Sequence, residues 1–508
     1  MSKTRDDNSI IIIGAGFAGL SAGIYARMNG YDVQIFEMHS KPGGLCTSWK
    51  REGFVIDGCI HWLVGSSEGT AINDYWKEVG LLHGREFVYA DEYIRYEGPD
   101  GRTIVFYTDL DRLEKHLLEF SPQDKEPIME FTNGVRLALK FDQPSASTPL
   151  LKKLAISARL GWTFLTKGKE FQKWIKTTSL DFSARIKDPV LRDAFNELWM
   201  PEFSMFFMLF MFAYMHKKIA GYPVGGSMPM SRALESRFLE LGGKINYRKK
   251  VVKILTENDK ACGIQLSDGT EIRASRVISA ADGYNTIFRM LGSKYADEKV
   301  KEPYEKWPKF PSLIFAGFGV NRKFNDEPIT VSGFSFELRE PVKVADKEIK
   351  RLPVHIYNQD PSLSPEGMTV LSVMLPSGYE YWKELAARRE DYDAKKKEIA
   401  KQIISLLEQR FPGIGAQVVM TDIATPLTFE RYTGNWKGSF EGWLLTPQNA
   451  NTMMKPMSQT LPGLSDFYMC GQWVEPGGGL PTGVMSARRL IKKICSEDDI
   501  KFRTYFKQ

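Results

Sequence analysis

The chemistry-bearing residues closest together in the chain are Gly14, Gly16 and Gly19, in the pattern Gly-x-Gly-x-x-Gly directly after "SIIII" (9–13). A β-branched run, a glycine turn, a helix-compatible stretch at 20–29 and a second strand at 33–36 make one β–α–β unit. Gly14 permits the tight turn, Gly16 lets the backbone approach a pyrophosphate, and Gly19 permits close packing of helix on strand. The amides at Phe17 and Ala18, with the positive end of the helix dipole, attract phosphate. Glu37, eighteen residues after Gly19, ends the second strand and can accept hydrogen bonds from ribose hydroxyls. This unit predicts a dinucleotide site.

Three further stretches are expected to position the same ligand. Gly43, Gly44 and Leu45 follow the acid in "MHSKPGGLCTSWKREGFVIDGCIHWL". The segment "LSDFYMCGQWVEPGGGLPTGVMSARRLIKKI" (464–494) reads as strand, Cys-Gly turn, glycine loop and helix. Residues 225–286 read as a helix, strands, a hairpin at Asp268-Gly269 and the strand "RVISAAD". The order acid, short spacer, Gly-Gly resembles the flavin amine oxidase and phytoene desaturase superfamily. That resemblance implies FAD, with the Gly43–Leu45 loop on the pyrophosphate and Val252 at the adenine. It also implies that Gly471, Gln472, Thr482, Gly483 and Val484 face the flavin and its ribityl chain, and that "GFVIDGCIH" runs toward the ring. "FAGFGVN" (315–321) lacks a third glycine and a following helix, so a separate NAD(P)H domain is not expected.

Within the superfamily, "FVIDGCIHWLVG" (54–65), "YNQDPSLSPEGMTVLSVMLPSG" (357–378) and "TPLTFERYTGNWKGSFEGW" (425–443) resemble segments of the retinol saturase, carotenoid isomerase and phytoene desaturase branch. Phe440-Glu441-Gly442 departs from the branch, which has Tyr-Gly there. The resemblance implies flavin chemistry on carbon–carbon double bonds of a long apolar isoprenoid, retinoid or related lipid. Saturation, desaturation and isomerisation all stay open, with a lean to saturation, and no motif identifies the external electron donor or acceptor. His61 is the candidate catalytic residue near the flavin; its alternative is an imidazole that only hydrogen-bonds a carbonyl or the ring. Two other readings are a flavin amine oxidase, which would need an aromatic cage and usually a lysine near the flavin, and a flavin-free prenyl-lipid carrier of the GDP-dissociation-inhibitor type.

The expected fold is α/β with α+β character: a discontinuous Rossmann-type FAD domain carrying an inserted substrate domain of mixed sheet and helices. The FAD domain takes 1–110, 225–300 and 435–508, and the substrate domain takes 111–224 and 301–434. At 508 residues the chain is long enough for more than one core. "EFSMFFMLFMFAYMHKK" (202–218) lies in the substrate domain. Its apolar part, Phe203 to Met215, is thirteen residues, short of the roughly 20 that a membrane span needs. Phe and Met repack readily around ligands, so Phe207, Met208, Met211, Phe212 and Tyr214 are candidate substrate contacts. The competing reading is an ordinary core helix, and His216-Lys217-Lys218 would mark where it reaches water or headgroups.

"TPLLKKLAISARLGWTFLTKGKEFQKWIK" (148–176) interleaves seven Lys/Arg and one Glu with Trp162, Phe164, Phe171 and Trp174. That pattern suits an interfacial helix, or a cationic helix packed on the core. Stretch 387–411 reads as an amphipathic helix with a solvated face. The net charge of +6 and the absence of basic–aromatic motifs argue against nucleic acid as a partner. Five dispersed cysteines without C-x-x-C and six isolated histidines point to a reducing compartment and no metal site. The polar start "MSKTRDDNS" lacks the apolar stretch of a secretory signal. The expected location is the cytoplasmic face of a membrane, peripherally attached.

Overall fold

A computed structural model of the protein describes residues 8–141, 145, 148–453 and 455–505. The start Met1–Asp7 and the side chain of Phe164 lie outside the described residues.

The expected β–α–β unit forms as strand Ser9–Ile13, helix Phe17–Met28 and strand Asp32–Phe36. These strands centre a five-stranded, all-parallel sheet in the order Lys244–Asn246, Asp32–Phe36, Ser9–Ile13, Arg276–Ser279, Phe467–Met469. Both faces of the sheet are covered, so Ile10 to Ile13 are all buried and the strand reads as an unbroken apolar run. Helix Gly479–Glu497 packs along Phe17–Met28. Three stretches distant in sequence, around 9–36, 244–279 and 467–497, thus build one nucleotide-type layer.

A seven-stranded mixed sheet forms the second layer, in the order Val418–Ala424, Leu313–Val320, Thr369–Pro376, Lys347–Ile356, Phe334–Val344, Glu92–Glu97, Thr103–Tyr107. Its last two strands precede residue 110, inside the stretch expected in the nucleotide domain. They belong here because Glu92–Glu97 pairs in parallel with Phe334–Val344. Gly317 and Gly319, the incomplete glycine motif, lie in the fully buried strand Leu313–Val320. A Cβ on them would meet Ile56 at 2.8 Å and Phe54 at 2.6 Å. Their job is to let the hairpin Ser48–Arg51/Phe54–Asp57 sit flat on the sheet.

Helices complete the substrate side. Met205–His216 is apolar all round, with Met205, Met208, Leu209, Met211, Phe212, Ala213 and Met215 buried. Phe212 packs edge-on against Phe131 and Tyr93, with ring centroids 5.6 Å away in each case. Phe206, Phe207, Phe210 and Tyr214 are half-buried on the other side. At the end of the helix His216 and Lys217 are half-buried, His216 Nδ1 accepting from Leu110 N–H at 3.1 Å and Lys217 Nζ donating to Leu139 O at 2.9 Å, and Lys218 is exposed. Helix Leu150–Lys176 buries Phe171 and Trp174 at its C-terminal end. From its start to just past its middle it exposes Leu150, Leu151, Leu154, Trp162 and Leu165 among its lysines. Among the described residues no helix is long and apolar enough to cross a membrane. Helix Arg389–Leu407 buries Ile399, Ile403 and Leu407 and leaves its charges outside, as an amphipathic surface helix should.

Candidate active site

The first glycine turn is a cradle by construction. Gly14 adopts φ +97°, and its N–H donates to Phe36 O at 2.8 Å. A Cβ on Gly19 would stand 2.0 Å from Gly14 O, so only glycine allows this helix–strand contact. At Gly16, by contrast, an added Cβ would meet only Gly43 O and Gly44 Cα, both at the ordinary contact distance of 3.9 Å, so the backbone itself leaves room there. The Gly43 N–H donates to Ala15 O at 2.8 Å and brings the second glycine pair alongside. Glu37 is buried; its Oε2 accepts from Ala15 N–H and its Oε1 from His39 N–H, both at 2.7 Å. Burial raises its carboxyl above the ordinary range while those amides pull it down. Glu37, Gly44 and Leu45 line one cavity of about 220 Å³, with Lys41 and Arg51 supplying positive charge.

A second helix converges on this cradle. Helix Gly479–Glu497 begins at Gly478 (φ +69°), and a Cβ on its Gly483 would lie 3.4 Å from Ala18 N. Gly471 (φ +102°) approaches Ala18 as well, with its N–H donating to Ser486 Oγ at 2.8 Å. Gln472 Nε2 donates to Asn435 Oδ1 at 3.1 Å, Thr482 Oγ1 donates to Gly479 O at 2.8 Å, and Val484 is buried. Neither helix start is capped by its own N-cap residue or carries an acid in its first turn, and at the second only the Gly479 N–H is met by an outside carboxylate, Glu441 Oε1 at 3.2 Å. First-turn amides of a helix need an outside acceptor, and two such termini meeting at an open glycine suit a pyrophosphate. Val252 is 40 % exposed and sits at a register shift between Val251 and Lys253, which takes its backbone out of the ladder. The residues present therefore fit FAD.

Beyond the cradle, a chain of ring contacts leads from the His61 segment to the second glycine loop. The His61 ring is 6.3 Å from Trp62, Trp62 is 6.2 Å from Trp199, and Trp199 is 5.4 Å from Phe207. Phe207 is 4.7 Å from Phe203, which reaches Phe310 at 6.1 Å. Phe310 in turn is 3.1 Å from where a Gly478 Cβ would be. On the other side His61 faces His355, and His355 stacks on Tyr357 at 4.3 Å. Cys59 interacts with Tyr357 and with Glu441, and Glu441 Oε1 accepts from Gly479 N–H at 3.2 Å. The first series is aromatic and the second is polar. Of the expected substrate contacts, Phe207 belongs to the first. Met208 and Phe212 pack behind it, Met211 Sδ accepts from Trp199 Nε1 at 3.5 Å, and Tyr214 stands against Phe210.

His61 and Glu441 keep part of their surface accessible, yet burial pushes the His61 imidazole down to about 4 and the Glu441 carboxyl up to about 8. His355 is buried, and its Nδ1 has no hydrogen-bond partner. Glu441 carried a sequence signal, the departure from Tyr-Gly; His355 and Trp199 carried none, because only the fold brings them to His61. Other motif residues turn out to be scaffold. Asp57 accepts from Ser227 N–H at 2.5 Å and from Cys59 N–H at 3.0 Å, joining the first FAD segment to helix Ser227–Glu240. Asp360 of "DPSL" accepts from Tyr222 Oη at 2.9 Å and Gly225 N–H at 2.7 Å. Asp282, pushed up to about 7 by burial, accepts from Asn285 N–H and Trp436 N–H. Among the described residues no group of three His, Cys, Asp or Glu can hold a metal ion.

Comparison with known proteins agrees with this geometry. The chain is 25% identical over 518 residues to a chloroplastic prolycopene isomerase of Daucus carota, covering 98% of this chain and 82% of the relative. It is 24% identical over 515 residues to a lycopene-forming phytoene desaturase of a Paracoccus species, covering 96% and 97%. Among solved structures it resembles an oxidoreductase from Methanosarcina mazei (TM-score 0.57, 19% identity, 95% of this chain and 100% of that one). It also resembles putrescine oxidase bound to putrescine (TM-score 0.59, 14% identity, 96% and 99%). The model of the family "flavin containing amine oxidoreductase" matches residues 17–490. The uncapped glycine cradle, the acid beside it and this match over nearly the whole chain establish that the protein belongs to the flavin-containing amine oxidoreductase family, as an oxidoreductase whose cofactor is FAD.

Proposed function

We propose that the protein acts on a carbon–carbon double bond of a long apolar isoprenoid or similar lipid. The observation that carries this reading is the run of aromatic contacts from Trp62 through Trp199, Phe207 and Phe203 to Phe310, which joins the His61 segment to the glycine loop that Glu441 meets. An unactivated alkene offers no charge to grip, so flat apolar surfaces and exclusion of water must fix its position. FAD, when bound, supplies or accepts the hydride equivalent. Phe207 and Trp199 orient the chain, with Met208, Met211 and Phe212 backing them and Tyr214 at the margin. His61, neutral at physiological pH, can offer one ring N–H and one ring acceptor. Glu441, held protonated by burial, can give a proton to a carbon or return one to water. The relatives reported, an isomerase and a desaturase, support isomerisation or desaturation over the saturation that the motifs favour.

Such a substrate resides in a bilayer, and the leucines and Trp162 exposed on the basic helix Leu150–Lys176 give the protein a means of lying against the cytoplasmic face of one. Anaerobic incubation of the yellow protein with a cis-polyene or a partly saturated polyene tests the reading. The polyene absorbance should shift, and chromatography should resolve an isomer or a desaturated product. Flavin reduction by diamines, with every polyene left unchanged, would overturn it.

A further inference from the structure

A second cavity, of about 450 Å³, lies where the hairpin Ser48–Arg51/Phe54–Asp57 meets the start of helix Ser227–Glu240 and the turn at Ser362-Leu363. That volume falls within the range of small-molecule sites, roughly 300–1,000 Å³. The cavity shares Lys41 and Trp49 with the one beside Glu37. On the hairpin, Phe54 and Ile56 pack toward Gly319 and Gly317 of the large sheet. Val55 and its cross-strand partner Lys50 therefore point the other way, into this cavity.

The lining carries one sign of charge. Lys41, Lys50 and Arg232 contribute to it, and among the described residues no Asp or Glu does. Lys41 Nζ reaches a backbone carbonyl, Ser48 O at 3.4 Å, rather than a carboxylate. Burial, then Arg232 and Arg51, push its ammonium below the ordinary range. Arg232 Nη1 donates to Glu235 Oε2 at 2.6 Å, and the other oxygen of that carboxylate is taken by Tyr247 Oη. The acids bound to the cavity's backbone are engaged as well: Asp57 accepts from Ser227 N–H at 2.5 Å, and Asp360 accepts from Gly225 N–H at 2.7 Å and from Ser362 Oγ at 2.5 Å. Helix Ser227–Glu240 starts at Gly226 (φ +71°) without a side-chain cap or a first-turn acid, so its positive end adds to the same field. The rest of the lining is apolar: Val55, Met228, Pro229 and the buried Leu363.

A recess lined by cations concentrates anions, and an apolar lining gains by covering an apolar body. We propose that this cavity binds an anionic amphiphile, a compact oxyanion head on an apolar chain, with Lys41, Lys50 and Arg232 on the head and Val55, Met228 and Leu363 against the chain. Lys41 serves both cavities, so an oxyanion bound here takes up positive charge that the dinucleotide pyrophosphate would otherwise use. The two ligands should weaken one another reciprocally. That coupling rests on the flavin reading above, whereas binding at the cavity does not.

Decyl phosphate below its micelle concentration is the probe, with decanol and inorganic phosphate beside it. The purified holoenzyme is acetylated with and without each compound, and lysine modification is mapped by mass spectrometry. Decyl phosphate should protect Lys50 and Lys41, while the lysines of helix Leu150–Lys176 react as before. Decanol should protect neither, and inorganic phosphate should need a concentration higher by roughly tenfold or more. Lys50 and Arg232 are exposed, so Lys50→Gln with Arg232→Gln should fold and hold FAD but bind decyl phosphate more weakly by roughly tenfold or more. Lys50→Gln alone should act in the same direction. With decyl phosphate saturating, FAD should leave the wild-type protein several-fold faster on dilution, and the double variant should abolish that difference. Unchanged labelling of Lys50, or wild-type affinity in the double variant, would overturn the site. Equal protection by decanol, or by inorganic phosphate at the same concentration, would overturn the amphiphile as its ligand. Unchanged FAD release from protein with Lys50 protected would overturn the coupling alone.

Discussion

The imidazoles of His61 and His355 face each other with ring centroids 5.1 Å apart and planes inclined by 37°. Burial pushes His61 down to about 4, and burial together with His61 pushes His355 well below the ordinary range. Both are therefore uncharged near neutral pH. The unfolded chain protonates these histidines below about pH 6.5, where the folded protein does not. The folded state binds fewer protons in that window, so stability is full above pH 6.5 and is lost as pH falls toward 4. Denaturant melts at pH 7 and pH 5 should show a smaller loss for His61→Gln than for the wild type. Parallel losses would mean that His61 is not desolvated.

Glu441 gives the opposite sign. Its carboxyl, pushed up to about 8 by burial, holds a proton where an unfolded glutamate does not, so its contribution to stability falls as pH rises from about 4.3 toward 8. Glu441→Gln should melt higher than the wild type at pH 8 and close to it at pH 4. If the carboxyl also moves the substrate proton, turnover should drop by roughly 10²–10⁴-fold in this variant. The residual rate should lose the wild-type decline above pH 8. A variant with wild-type turnover and an unchanged profile would leave Glu441 a cap for Gly479 alone.

Phe207 and Phe212 lie on the same helix and should behave differently. Phe212 is buried against Phe131, Phe106 and Tyr93, so Phe212→Ala should cost about 3–5 kcal/mol of stability. Phe207 is half-buried and stands against Trp199 and Phe203. Phe207→Ala should fold and hold FAD but bind the lipid more weakly, raising KM more than it lowers kcat. Equal unfolding midpoints for the two variants would contradict this division.

That contrast shows where the sequence was readable. The parallel sheet could be seen because a β-branched strand, a glycine turn and an acid recur at fixed offsets, each required by local geometry. The helix Met205–His216 could be seen as apolar but not oriented, since a segment apolar all round has no periodicity to say which side meets the core. The polar contacts of His61 were nearly invisible. His355 lies among buried aliphatics on the strand Lys347–Ile356 and Tyr357 directly follows it, and only the hairpin packing across Gly317 and Gly319 carries His61 to them. The strands at 92–107 carried no sign of their partner Phe334–Val344, because a parallel pairing between distant segments leaves no turn signature.

The exposed half of helix Leu150–Lys176 makes a prediction for membranes. Leu151 and Leu165 are 82 % and 84 % exposed and Trp162 is 69 % exposed, with Lys152, Lys153 and Arg159 interleaved. Replacing Leu151, Trp162 and Leu165 together by Ser should weaken binding to vesicles of anionic phospholipid by roughly tenfold or more. FAD content and the melting temperature should hold. Turnover should fall with substrate presented in vesicles and persist with substrate in detergent. Unchanged vesicle sedimentation would sink the interfacial role.

The sharpest test of the cofactor site compares two glycines three residues apart. An alanine methyl at position 19 would stand 2.0 Å from Gly14 O and 3.2 Å from Ala280 Cβ. Neither the turn nor the strand behind it can move without breaking the parallel sheet, so Gly19→Ala should lower stability with or without FAD. At position 16 the backbone has φ −72°, which alanine adopts freely, and the methyl meets no protein atom within 3.9 Å. It projects instead into the space between the uncapped helix start and Gly44. If that space holds the pyrophosphate, Gly16→Ala should give a colourless protein whose FAD-free form melts like wild-type protein stripped of FAD. Its FAD affinity should be lower by at least about two orders of magnitude, or ~2.7 kcal/mol. A yellow Gly16→Ala protein with normal affinity would place the dinucleotide elsewhere, because no backbone strain or internal clash is available to explain a loss and no methyl that size escapes a phosphate seated on the helix.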